Sequence, residues 1–372
     1  MTRRFVLALI AAALLAASIL AQPAAQARAT AQARATVQAR ATVQARATAQ
    51  AKTAFRIWPR HVYAPYFETW TTDSIPAVAW KSEARYFSLA FLQTVKKGSC
   101  ALTWNGTKTE PVPGPRYQGQ IARLRQLGGD VMPTFGGFSA DSTATEIADS
   151  CTSVSKIAAD YEAVIKGYRV TRLDMDVEVN SLDNKAGIDR RNKAIALVEA
   201  WARHAGRPLR VEYTLPVEPA GLEANALHVL KNAVANGARV DTINIMTFDY
   251  YLDKEPKPLD MGALAITAAT NVHRQLAALY PGHSSRKLWA KEGITILPGI
   301  DDYPGKTEIT HLSDTRRILG FAQAHGLGLM SIWAIQRDNG GCPGTIDSNS
   351  CSGIKQPTWA FSHLLEPVTG FF

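Results

Sequence analysis

Three carboxylates recur at alternate positions in the segment Leu173-Asp174-Met175-Asp176-Val177-Glu178. In an extended chain successive side chains point to opposite faces, so Asp174, Asp176 and Glu178 share one face, while Met175 and Val177 share the other. On an amphipathic antiparallel strand the acidic face would simply be solvated. On a strand covered on both sides the acids enter an interior, where burial and repulsion across about 7 Å raise at least one pKa. A carboxylic acid that keeps its proton near neutral pH is what a general acid requires. Glu178, the last of the row, is the candidate for that role, with Asp176 and Asp174 as its partners.

The elements that must position this row are repeated units of strand and helix. Candidate strands lie at 61–66, 86–92, 130–137, 172–178, 209–215, 240–249, 293–300 and 328–335. Apolar residues return every three or four positions at 147–166, 188–204, 222–235, 264–280 and 314–325, as in amphipathic helices. Such alternation predicts a parallel sheet, and eight units predict one closed (β/α)8 TIM barrel with its active site at the C-terminal ends of the strands. An open doubly wound sheet is the rival, and no G-x-G-x-x-G follows the first strand to favour it. In the barrel Met175 and Val177 pack outward under the helices and the acids point inward.

The ends of the chain read differently. Arg3 and Arg4 precede an apolar stretch from Phe5 to Ala21 and small residues up to Ala27, the order of a secretory leader covering 1–27. The apolar core is long for a leader, so an uncleaved membrane anchor is the alternative. A hexapeptide repeat beginning with QARATA follows, and 28–54 reads as a low-complexity spacer with little to bury. The catalytic domain is then 55–372. Residues 1–54 carry Arg3, Arg4, Arg28, Arg34, Arg40, Arg46 and Lys52 and no acid, which is +7 of the formal +9 and leaves the folded part near +2. That balance gives no sign of a nucleic-acid-binding face. Four cysteines in an exported chain fit two disulfides with three connectivities. Cys342 and Cys351 lie close together in a Gly-, Ser- and Asn-rich loop, which pairs them and leaves Cys100 with Cys151. No C-x-x-C or histidine spacing suggests a metal site, and no cofactor is expected.

The residues at the strand ends resemble the family 18 glycoside hydrolases, in particular secreted bacterial chitinases. The D-G-x-D-x-D-x-E motif of that family is matched at Asp174, Asp176 and Glu178, with Thr171 and Arg172 replacing the leading D-G. Its S-x-G-G is similar to Thr134-Phe135-Gly136-Gly137, its M-x-Y-D to Met246-Thr247-Phe248-Asp249, and its eighth-strand tryptophan to Trp333. The resemblance covers residues 55–372. It implies substrate-assisted retaining hydrolysis of chitin or N-acetylglucosamine oligosaccharides by a secreted monomer, a mechanism distinct from the two-carboxylate scheme. Glu178 would protonate the glycosidic oxygen, the substrate acetamido group would attack C1, Asp176 would hold that group, and Asp174 would tune Asp176. Gly136, Gly137, Met246, Asp249 and Trp333 would line the sugar site. Phe248 stands where the family has a tyrosine donor, and Tyr250 or Tyr251 could replace it.

Two other readings compete. A barrel that binds glycans without cleaving them would fit the loss of the donor at Phe248. A two-carboxylate glycosidase would use Asp301 as nucleophile, and Asp301 and Asp302 could instead contact sugar hydroxyls. Trp58, Trp70, Trp80 and Trp104 are candidates for an extended cleft or for packing.

Overall fold

The computed structural model describes residues 55–370 except 253–258, 304–306 and 347–348, and also Gln38. The expected leader and repeat lie outside the described residues, apart from Gln38. The chain divides into two units, Met1–Ala54 and Phe55–Phe372.

Twelve strands are described in the second unit. They are β1 (Val62–Tyr63), β2 (Tyr66–Glu68), β3 (Tyr86–Thr94), β4 (Leu102–Trp104), β5 (Asp130–Gly136), β6 (Arg172–Asp176), β7 (Arg210–Pro216), β8 (Thr242–Met246), β9 (Glu292–Ile296), β10 (Gly299–Ile300), β11 (Ile309–Thr310) and β12 (Leu329–Ile332). The main sheet runs β1-β12-β9-β8-β7-β6-β5-β3-β2, every neighbouring pair parallel. Its two ends, β1 and β2, are consecutive segments separated only by Ala64 and Pro65. Because Pro65 has no N–H to give a ladder, one barrel strand is read as two. The sheet therefore closes into an eight-stranded cylinder, as the alternation predicts. Antiparallel β4 extends β3, and β10 pairs with β11.

The outward faces of the strands and the apolar stripes of the helices form one continuous core, which includes Leu173, Met175, Val177, Val211, Tyr213, Ile243 and Ile245. The single helix expected at 147–166 is two, Ile147–Ser150 and Val154–Tyr168. The break falls where Cys151 turns extended and bonds to Cys100, and Ser153 caps the second helix by accepting from the Lys156 N–H. Both disulfides are formed as paired above, with Cα separations of 4.7 Å for Cys100–Cys151 and 6.0 Å for Cys342–Cys351. Among the described residues no helix is long and apolar enough to cross a membrane.

Candidate active site

The inward row of β6 is Arg172, Asp174 and Asp176, all buried. The strand ends at Asp176, earlier than the sequence window, and Glu178 caps the short helix Val179–Asp183 from an extended conformation. Glu178 remains partly exposed at the rim while the two aspartates lie beneath it.

Asp174 is satisfied from both sides. Tyr66 Oη donates to its Oδ2 at 2.9 Å and Thr214 Oγ1 to its Oδ1 at 2.9 Å. Asn244 continues the net, donating to Thr214 Oγ1 at 3.1 Å and accepting from Thr295 Oγ1 at 2.9 Å. Burial raises Asp174 to about 6, and these donors limit the rise by favouring its charged form. Asp176 is pushed well above the carboxylate range, first by burial and then by Glu178 and Asp174. Its Oδ1 is buried and has no hydrogen-bond partner. Glu178 is raised to about 7 by burial; the Phe138 N–H lowers it and the Asp302 charge raises it. A proton held by Glu178 near neutral pH is thus a consequence of where the chain places it.

The end of β5 brings the supporting main chain close. A Cβ on Gly136 would stand 2.0 Å from the Asp176 carbonyl oxygen, and one on Gly137 would stand 2.6 Å from the Phe91 ring. Both glycines have positive φ, 95° and 86°. They admit the neighbouring strand and the Phe91 ring, which is the physical need for glycine at both positions. Gly137 leads into the helix Phe138–Thr143, whose buried Asp141 accepts from the Glu178 N–H at 2.6 Å. Behind it, Arg191 pairs with Glu146 at 3.0 Å, both fully buried.

Above the acids, Trp333, Phe91 and Trp70 form an aromatic floor. Phe91 and Trp333 stack at 5.4 Å and 20°, and Trp70 lies 6.2 Å from each. Tyr66 meets Trp333 at 5.5 Å, so the donor to Asp174 also supports the platform. Met246 and Phe248 pack with Leu297 against Trp333. The other tryptophans stand elsewhere: Trp104 is in the core, donating to Tyr168 Oη at 2.9 Å, Trp58 is in the lower barrel, and Trp80 is on the outer surface.

On the same rim, beyond the ends of β8 and β9, Asp249, Asp301 and Asp302 bring carboxylate oxygens within 4.8 Å of one another, a spacing that suits a divalent cation. Burial, then Asp301, raises Asp249 to about 10, so the crowding is relieved by a proton. Asp301 accepts from the Asp249 N–H at 3.1 Å and the Asp302 N–H at 2.7 Å, which ties the loop to the end of β8. Tyr250 is buried in the main core rather than among the rim aromatics, and its N–H donates to Glu308. Tyr251 is exposed, and it is raised to about 12 by burial and then by Asp249, Asp302, Asp301 and Glu178.

No family model matches the chain. It is 33% identical over 329 residues to a probable bifunctional chitinase/lysozyme of Escherichia coli (strain K12), covering 85% of this chain and 35% of that protein. It is 32% identical over 295 residues to endochitinase 11 of Metarhizium anisopliae, covering 77% of this chain and 54% of that one. The chain thus spans only these fractions, 35% and 54%, of the curated relatives it matches. The catalytic domain of the hyperthermophilic chitinase from Pyrococcus furiosus superposes with a TM-score of 0.72 at 27% identity, over 85% of this chain and 98% of that domain. Catalytic-site mutants of domain 2 of the Pyrococcus furiosus chitinase, complexed with chito-oligosaccharides, give the same TM-score. Over most of its length the chain is similar to these chitinases and to their catalytic domain.

In this barrel the structure brings Asp174, Asp176, Glu178 and Trp333 to one end of the cylinder, with Gly136 and Gly137 as packing contacts beside them. Sequence reasoning missed Tyr66, Thr214, Asn244, Phe91 and Asp141. The first three follow an inward alternation that was traced only on β6. Asp141 had no comparable signal, because its role depends on how a turn of two glycines aims the next helix.

Proposed function

We propose that this barrel hydrolyses β-1,4 bonds in chitin or related N-acetylglucosamine polymers by substrate-assisted retaining catalysis. The observation that carries the reading is Glu178, raised to about 7 and partly exposed at the rim, directly above two buried aspartates. Glu178 gives its proton to the glycosidic oxygen as the bond to C1 breaks, and the carbonyl oxygen of the substrate's own 2-acetamido group closes on C1. Asp176, whose Oδ1 is buried and unpartnered, receives the acetamido N–H and offsets the charge that develops on the ring formed. Asp174, held by Tyr66 and Thr214, keeps a charge-favouring net beneath it. Glu178, now a carboxylate, takes a proton from water, which opens the intermediate with retention. The Trp333–Phe91–Trp70 floor offers apolar faces for sugar rings.

Glu178→Gln removes the transferable proton and keeps the shape. Turnover of chito-oligosaccharides is expected to fall by several orders of magnitude while binding persists, and hydrolysis at the wild-type rate would remove Glu178 from the acid role. An N-acetylated oligomer and its de-acetylated twin test the nucleophile, since only the first carries the acetamido oxygen. Equal turnover of the two would overturn the substrate-assisted step. The leader-like start of the sequence supports export as part of the same proposal, and the domain is proposed to act as a monomer without a cofactor.

A further inference from the structure

The two ends of the barrel interior carry opposite charge. On β6 the inward row starts at Arg172, and the residue beside it on β7 is Arg210, in register as its Cα partner. These side chains stand at the N-terminal ends of their strands, the far side of the cylinder from Glu178. With Arg56, Arg60, Lys287 and Lys291 they surround a cavity of about 630 Å³. Asp241 is the one carboxylate in its lining, and it already accepts from the Val211 N–H at 3.0 Å and lies 3.5 Å from Arg239. The near-neutral charge of the folded part therefore conceals a segregated cationic cavity.

The cations of the lining outnumber its carboxylate six to one, and Glu212 and Asp241 offset only part of the charge beside Arg172. Arg172 is 5% exposed and lies 4.7 Å over the buried Trp58 ring, which seals the cavity from the barrel interior together with Val62, Tyr86, Met132 and Leu329. Neither Arg172 nor Arg210 has a hydrogen-bond or ion-pair partner among the described residues. Burying an arginine beside a like charge is unfavourable unless something of opposite charge returns the lost solvation. The forked guanidinium groups present donors in the geometry that phosphate and carboxylate oxygens fill in pairs. The volume is that of a small-molecule site. The seven cations of residues 1–54 make that segment an unsuitable occupant.

We infer that the N-terminal mouth of the barrel is a binding site for a small multiply charged oxyanion of phosphate or carboxylate type, separate from the sugar cleft. Arg172 and Arg210 grip the anion, Lys287 on the helix Ser285–Trp289 and Lys291 just before β9 supply field, and Trp58 forms the floor. A neutral N-acetylglucosamine chain has no charge for this site, so its ligand is not the proposed substrate.

The test is calorimetric titration of the full chain with sodium pyrophosphate and, separately, with citrate, each against sodium chloride at matched ionic strength. One anion per chain is expected. Arg210→Gln, an exposed change that leaves the fold intact, is expected to weaken binding at least about tenfold, the loss of one charge-assisted contact. Arg210→Gln/Lys291→Gln is expected to weaken it further, while turnover of chito-oligosaccharides stays at the wild-type value. Tighter binding of pyrophosphate than citrate assigns phosphate chemistry, and the reverse order assigns carboxylate. Neither anion binding better than chloride would overturn the inference. So would binding that survives at full strength in both variants, since it would belong to the basic N-terminal segment.

Discussion

Asp141 touches no exposed surface, yet its carboxylate holds the Glu178 N–H at 2.6 Å. Asp141→Ala leaves that N–H without a partner, a loss of about 1–3 kcal/mol. The barrier for proton donation depends on where the Glu178 carboxyl stands, and displacements of about 1 Å at a reacting group are enough to cost two orders of magnitude. If the whole loss enters the barrier, kcat falls about 5- to 150-fold. Because the side chain is enclosed, KM for a chito-oligosaccharide should change by less than about twofold. Asp141→Asn keeps an acceptor oxygen at the same reach and should restore kcat to within about threefold of wild type. Steady-state kinetics on the three proteins, with near-UV circular dichroism to establish that each is folded, make the comparison. A folded Asp141→Ala protein with unchanged kcat, or an asparagine variant as slow as the alanine one, would refute the positioning argument.

Three further outcomes are expected. Glu178 must be protonated to act and is raised to about 7, so kcat/KM should decline about tenfold per pH unit above that value, and a pH–rate profile still level at pH 9 would contradict the assignment. Trp333→Ala removes the centre of the aromatic floor and should raise KM by roughly tenfold, a stacking contribution of about 1.5 kcal/mol, with kcat affected less. The Cys100–Cys151 bridge closes a separation of 51 residues and Cys342–Cys351 one of 9, so loop-closure entropy assigns about 4 and about 2.5 kcal/mol to them. Denaturant titration of the paired serine variants should therefore find the first variant the less stable.

What could be read from the sequence was whatever local period encodes. Eight windows of apolar or alternating residues each contain a barrel strand, and Asp174 and Asp176 are buried on the same inward row because a strand leaves them no other choice. Tyr66 lies inside the first of those windows and could have been found by extending the same alternation to it. The placing of Tyr250 failed: it was chosen for standing just beyond Phe248, but the strand ends at Met246 and the chain then turns through positive φ at Asp249, carrying the Tyr250 ring into the core. The pairing of Arg172 with Arg210 was not legible because the two lie on different strands, 38 positions apart, and only the sheet register puts them side by side. The aromatic floor was out of reach for the same cause: Trp70 follows β2, Phe91 lies within β3 and Trp333 follows β12.

The seam of the cylinder joins Val62 to Leu329 and Tyr63 to Met330. Tyr66, on the near side of that seam, is the residue that reaches across the lumen to Asp174. Loop-closure entropy makes so distant a pairing a late event in folding. A chain lacking its last barrel strand would still contain all three acids, correctly spaced on one ribbon, with Tyr66 paired to β3 on one side only and the stave that carries it open at its other edge. Catalytic competence in this protein is therefore a report on whether its two extremities have met.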